Sequence, residues 1–347
     1  MIRFPKNAFA FALFLFLAWS LPAPAPALAE ASITWKMATL APENIGWARH
    51  IKEKVMPVIT ETTRGDLFIK VYWGGVMGDD EDVIKKMEKG ILQGAGLTAQ
   101  GTTQMCPEMS VVALPFLFNG YDEVDYIKEK MTATFDRLIE KRGYFLLAWT
   151  DQDFDPVFSL KYDMSRLSHY SQSRMVQWNG PLEGELLQTL GATVVPVNVP
   201  DLSDAVRRGQ VDAALGPAVW VVGAQLHNTV KYVVPLKIRY SPATIVVANP
   251  TWAALPPDYQ KEFHARRKGL MDEFCRNVRE DNEKYLKAML EYGVTKVEMN
   301  PDDLTVMKEK TRKIWDRMAG VLYPREVLDE LLAFLKEYRE AKPKPAS

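Results

Sequence analysis

The sequence predicts an α/β fold in two lobes. Three observations carry this. Strand-like and helix-like segments alternate along the chain, its 347 residues exceed what one small core needs, and one helical stretch is too long for a single lobe. The first strand reads at 33–39, followed by a helix over 44–60. Leu67, Ile69, Val71 and Trp73 recur at every second position, the mark of a strand. Asp79-Asp80 caps a helix that runs through Lys89 and stops at Gly90. A strand follows at 91–98, then a helix at 121–142 ended by Gly143, then a strand at 144–149. The second half repeats the theme, with strands at 175–178, 193–197 and 211–215 and helices at 182–190 and 202–208. Such alternation predicts parallel sheets flanked by helices.

The long helix starts at Pro256-Pro257-Asp258 and runs to Gly293, with no further proline and Gly269 as its one glycine. Tyr259, Phe263, Leu270, Phe274, Val278, Tyr285 and Met289 are spaced by four or seven, which gives one apolar face. At ~1.5 Å per residue it is a rod of roughly 50 Å, long enough to cross both lobes. Amphipathic helices at 302–319 and 324–341 complete the chain. The expected division is lobe I at 30–150 plus about 240–270 and lobe II at 151–239 plus about 271–347.

Residues 1–29 read as a secretory signal peptide. Arg3 and Lys6 precede an apolar run at 8–21, and Ala27-Leu28-Ala29 forms a small-residue cleavage signature. No later stretch reaches the ~18 apolar residues of a membrane span. Lys+Arg 43 against Asp+Glu 44 leaves no charge footprint for nucleic acid or a membrane surface. Cys106 and Cys275 could pair in an oxidising compartment, although a core of this size needs no such staple.

Catalytic motifs are absent. His50, His169, His227 and His264 are scattered singly, with no partner at metal spacing, and no nucleophile elbow, P-loop or dinucleotide fingerprint occurs. No cofactor or metal is therefore expected. Asp79-Asp80-Glu81-Asp82 sits at a helix start, where the macrodipole favours acids. Asp151, Asp153 and Asp155 alternate just after a strand and read as the rim of a cleft. Aromatic and amide residues collect at strand ends: Trp73 before Gly74-Gly75, Trp149, Trp178-Asn179, and Trp220 after Gly216-Pro217. Each alone fits core packing, but together they suit an apolar small-molecule cleft, which points to binding rather than turnover.

Several segments resemble the solute-binding proteins of TRAP (tripartite ATP-independent periplasmic) transporters, DctP type. They are Tyr72-Trp73-Gly74-Gly75-Val76-Met77-Gly78-Asp79-Asp80, Ala113-Leu114-Pro115-Phe116-Leu117-Phe118, Leu190-Gly191-Ala192 with the strand after it, and Ala205-Val206-Arg207-Arg208-Gly209-Gln210-Val211-Asp212-Ala213. The resemblance implies a periplasmic-binding-protein-like fold of two lobes with a long spine helix crossing both. It also implies a periplasmic receptor, monomer or homodimer, that closes around a ligand and delivers it to membrane permease subunits. The family's carboxylate clamp is an arginine. Here the alignment puts Met175 at that position, with Arg174 beside it on the opposite strand face and a one-residue slip exchanging the two. Without that guanidinium a small dianion is costly to desolvate, and the expected ligand is an organic acid with an apolar or aromatic body. The expected contacts are Trp178, Asn179, Arg174, Met175, Trp73, Gln100, Phe116, Trp220 and Asp153. Two other classes stay open: a sensory input using the same cleft, and an exported enzyme working through Asp151, Asp153 or Asp155.

Overall fold

The computed structural model describes residues 31–341; segment 1–29, expected to be a signal peptide, and the tail after 341 lie outside them. In chain order the elements are β1 (Ile33–Thr39), α1 (Gly46–His50), α2 (Met56–Thr62), β2 (Leu67–Tyr72), α3 (Asp80–Glu88), β3 (Gly94–Leu97), α4 (Ala99–Met105), α5 (Tyr121–Glu140), β4 (Tyr144–Phe154), β5 (Val157–Ser159), α6 (Leu167–Ser171), β6 (Arg174–Gln177), α7 (Gly180–Thr189), β7 (Thr193–Pro196), α8 (Leu202–Arg207), β8 (Ala213–Leu215), α9 (Ala218–Gly223), β9 (Tyr232–Val234), β10 (Tyr240–Ala248), α10 (Asn249–Ala253), α11 (Pro257–Glu291), β11 (Thr295–Lys296), α12 (Pro301–Met318) and α13 (Arg325–Ala341). A π-helical turn, Ile51–Val55, joins α1 to α2, so the helix expected over 44–60 is continuous but not uniform.

The strands form two sheets. The first has the order β2-β1-β3-β10-β4 and the second β11-β9-β5-β8-β6-β7. The expected parallel pairing holds for β1 with β2 and β3, and for β6 with β7 and β8. It fails for β10, which runs antiparallel to β3 and β4, and for β5, antiparallel to β8 and β9. The reason is connectivity. The chain leaves the first sheet along β4 and returns along β10, so these two strands run in opposite senses side by side. β4 reaches Phe154, past the expected Trp149, because it continues up to the crossing. Pro242 in β10 has no N–H to give the ladder, and the register shifts at Ser241/Pro242.

The 35-residue helix α11 is the expected rod. It packs on β4 and α2 of the first lobe and on α9 of the second. Its polar face is pinned to β4 by a buried network in which the Arg279 Nε donates to Asp151 Oδ2 at 2.7 Å and Lys128 pairs with the same carboxylate. Burial alone would raise the Asp151 pKa, but Lys128 and Arg279 outweigh it and hold the carboxyl below its usual range. The two C-terminal helices part company. α12 packs on α6 and α7, whereas α13 returns to α5, with Arg339 paired to Glu123 at 2.8 Å. The apolar stripe of α13, Leu328, Leu331 and Leu335, is buried with Ile127 and Met131 of α5, the helix it packs on. Cys106 and Cys275 are separate, buried free thiols, each pushed up to about 12 by burial. Among the described residues no helix is long and apolar enough to cross a membrane.

Candidate ligand cleft

One cavity lies between the sheets, with about 880 Å³ between its lining atoms, mouth included. The first lobe supplies the C-terminal ends of β1 and β3 (Thr39, Leu97, Thr98) and the start of α1 (Gly46, Trp47). The second supplies Trp178 and Asn179 after β6, and Pro217, Val219 and Trp220 at the start of α9. α11 adds Val278 and Asp281. Ends of parallel strands are where open α/β sheets bind ligands, because the chain turns there into helices and leaves a crevice.

Each wall carries an indole laid on a glycine. A β-carbon added at Gly96 would lie 2.7 Å from Trp47 Cζ3, and one at Gly216 would lie 3.0 Å from Trp178 Cη2 and closer still to Cζ2. No side chain other than hydrogen lets the ring approach the strand so closely. Trp220 closes edge-on to Trp178, with centroids 4.3 Å apart and planes at 88°.

The lips touch through glycine as well. β-carbons added at Gly46 and Gly223 would lie 2.5 Å from Val219 Cγ2 and 2.8 Å from Pro42 Cγ, each across the lobe boundary. Asn282 of α11 bridges the same boundary, accepting from the Val219 N–H at 3.2 Å and donating to the Gln152 carbonyl at 2.7 Å. The lobes are therefore closed on one another.

The floor is a buried charge cluster at the crossing between sheets. Arg239 pairs with Asp155 and stands 3.2 Å from Glu183 Oε1. The Glu183 Oε2 accepts the Trp178 and Asn179 backbone N–H groups at 2.7 and 2.8 Å, which caps α7 and fixes the turn that carries Trp178. With its amide oxygen turned inward, Asn179 accepts from Arg239 Nη2 at 2.7 Å and from Trp178 Nε1 at 2.9 Å. Burial works against the Arg239 charge, but Glu183 and Asp155 outweigh it and hold the guanidinium protonated. Burial also pushes the Glu183 carboxyl up, with Arg239 only partly opposing it. Two polar atoms of the lining are buried without a hydrogen-bond partner, Trp47 Nε1 and Asp155 Oδ1. Asp281, the other acid in the lining, is matched by Arg49 at 2.7 Å and by His50 at 2.8 Å.

The structure brings together Trp178, Asn179 and Trp220 of the expected contacts and leaves the rest elsewhere. Arg174 is held by Asp212 in a two-toothed pair, Nε at 2.9 Å and Nη2 at 2.8 Å, at the far end of β6 from the cleft. Met175 is fully buried in the core, and neither residue lines the cavity. Trp73 lies on the outer side of the first sheet under Lys52, and Phe116 in a surface groove under Lys308. Gln100 is on α4 but outside the lining, where Gln152 stands instead and accepts from the Ala99 N–H at 2.8 Å. Asp153 accepts from the Tyr121 hydroxyl at 2.6 Å, off the cavity, whereas Asp155 lines its floor. Asp155, read in the sequence with Asp151 and Asp153 as the rim of a cleft, does line the cavity, whereas Trp47, Arg239 and Glu183 were missed. For Glu183 the available signal was an acid three places into a helix at Pro181. Among the described residues no three His, Cys, Asp or Glu side chains gather as metal ligands.

Residues 37–320 match the family described as DctP, bacterial extracellular solute-binding protein, family 7. The C4-dicarboxylate-binding periplasmic protein DctP of Rhodobacter capsulatus is 22% identical over 267 residues, 74% of this chain and 78% of that one. The 2,3-diketo-L-gulonate-binding periplasmic protein YiaO of Escherichia coli is 20% identical over 249 residues, 71% and 76% of the two chains. Among solved structures, the sugar acid binding protein DctPAm of Advenella mimigardefordensis, in complex with galactonate, superposes with a TM-score of 0.81 at 17% identity, over 88% of this chain and 98% of that one. A TRAP periplasmic solute binding protein of Sulfurospirillum deleyianum with bound succinate gives 0.80 at 16% identity, over 88% and 100%.

Proposed function

Because this chain belongs to the DctP family of bacterial extracellular solute-binding proteins, we propose that it is the extracytoplasmic receptor of a TRAP transporter, which captures a small organic acid with a largely apolar body and delivers it to the membrane permease. The observation that carries this reading is the closed cavity between the lobes, walled by Trp47, Trp178 and Trp220. The solute enters an open form, and closure buries it against the three indoles. Occupancy drives closure because the ligand touches both walls only in the closed form. An organic acid is supported by the solved relatives, which hold galactonate, succinate and pyroglutamic acid. The apolar body is supported by the lining itself, in which indole and aliphatic surface dominates.

Mass spectrometry of the protein purified from its periplasm tests this. It should release one small solute, chemically unaltered after incubation. Trp178→Ala should abolish that retention while the protein still folds. Recovery of no solute, or of one retained equally by Trp178→Ala, overturns the reading, and conversion of the solute would make the protein an enzyme.

A further inference from the structure

The charge balance of the cavity points to a particular kind of acid. No lysine, arginine or histidine lines it among the described residues, and its two ionisable side chains are both carboxylates, Asp155 and Asp281. Asp281 is balanced by Arg49, with His50 Nε2 within hydrogen-bond distance. Asp155 is not balanced in the same way. It shares one guanidinium, that of Arg239, with Glu183, so two buried carboxylates face one buried cation. The Asp155 Oδ2 is engaged by Arg239 and Ser241, while Oδ1 has no partner although the side chain is fully buried. A buried acceptor with residual negative charge calls for a positively charged donor.

The walls suit the same group. Trp47, Trp178 and Trp220 present indole surface around the floor, and indole faces attract a desolvated cation. The second unpartnered atom has the opposite character. Trp47 Nε1 is a lone N–H donor on the first-lobe wall, a partner for a carboxylate oxygen.

Building on the receptor reading above, we propose that the ligand is a zwitterion, an organic acid that also carries a cationic nitrogen. Its protonated nitrogen donates to Asp155 Oδ1, and its carboxylate accepts from Trp47 Nε1. Arg239 Nε and Glu183 Oε1 beneath the floor are unpartnered as well, but neither residue lines the cavity, so a net anion meets the Asp155 carboxylate and no lining cation.

Matched pairs of probes isolate the nitrogen: L-proline against pyroglutamate, L-leucine against 4-methyl-2-oxopentanoate, and L-phenylalanine against phenylpyruvate. Each is titrated calorimetrically into the mature chain freed of bound solute by unfolding and refolding. In at least one pair the amino member should bind tenfold or more tighter, and Asp155→Asn should remove that advantage. Trp47→Phe, which keeps the wall but deletes the N–H, should weaken the amino member severalfold, a readout that holds even where Asp155→Asn folds poorly. Equal or tighter binding of the oxo or lactam member in every pair that binds, or no binding of any amino member, overturns the proposal. An anion that binds and is lost in Trp178→Ala leaves the receptor reading standing and sinks this one alone.

Discussion

Asp155 and Arg239 are joined twice: the Asp155 N–H donates to the Arg239 carbonyl at 3.0 Å, and their buried side chains form an ion pair. One residue stands where the chain leaves the first sheet after β4, the other where it returns before β10. The same contact thus ties the two crossing segments together and floors the cleft.

Arg239→Met should be strongly destabilising, since it leaves Asp155 and Glu183 buried without their cation. Removing one partner of a buried pair costs about 3–5 kcal/mol, which lowers the melting temperature by on the order of 10 °C. Adding Asp155→Asn and Glu183→Gln should restore part of the loss, because the uncompensated charge is then gone. A single variant that melts like the parent would refute the pairing.

Gly223→Ala tests closure. Its backbone is not in the left-handed region, and its new methyl would meet Pro42 Cγ at 2.8 Å across the lips. Each lobe folds as before, but the closed form is propped apart. Small-angle scattering should show a ligand-saturated radius closer to the ligand-free one, and affinity should fall about tenfold, ~1.4 kcal/mol.

Gly216→Ala pushes on the Trp178 ring, with Cη2 at 3.0 Å from the added carbon. The expected result is a shift in tryptophan emission and binding weakened tenfold or more. Overpacking of this kind costs about 1–3 kcal/mol of stability. Unchanged emission and affinity would mean the indole does not rest on the strand.

Burial pushes the Asp153 carboxyl up to about 7, further raised by Asp155 and Asp151, against the opposing Tyr121 hydroxyl bond. A carboxyl whose folded pKa exceeds its unfolded one holds its proton more tightly when folded. Its contribution to stability is complete below the unfolded value of about 4 and is lost as pH rises through 7. Asp153→Asn keeps an oxygen for Tyr121 but cannot ionise. Between pH 5 and pH 8 the parent should lose melting temperature relative to this variant; parallel curves would disprove the shift.

Elements with a clear period were legible in the sequence. The rod from Pro257 is an example, because apolar spacing of four and seven over that length has no other outlet. β10 escaped because Pro242 breaks a strand reading, and only pairing with β3 and β4 makes Tyr240–Ala248 a strand. In the cleft, Trp178 and Asn179 were legible as residues at a strand end before a helix. So was Asp155, through its alternation with Asp151 and Asp153, but Trp47 was not, since nothing local distinguishes an indole in α1. Met175 at the expected clamp position of β6 suggested a site without a guanidinium. The fold places one beneath the cavity floor, outside the lining: Arg239, just before β10 and 64 residues beyond Met175 (239 − 175).

The chain passes between the lobes at four places: from β4 to β5, from β9 to β10, along α11, and from α12 back to α13. Two bodies tied at one point can swivel; tied at four, they keep a single swing. A door hung this way returns to the same frame each time.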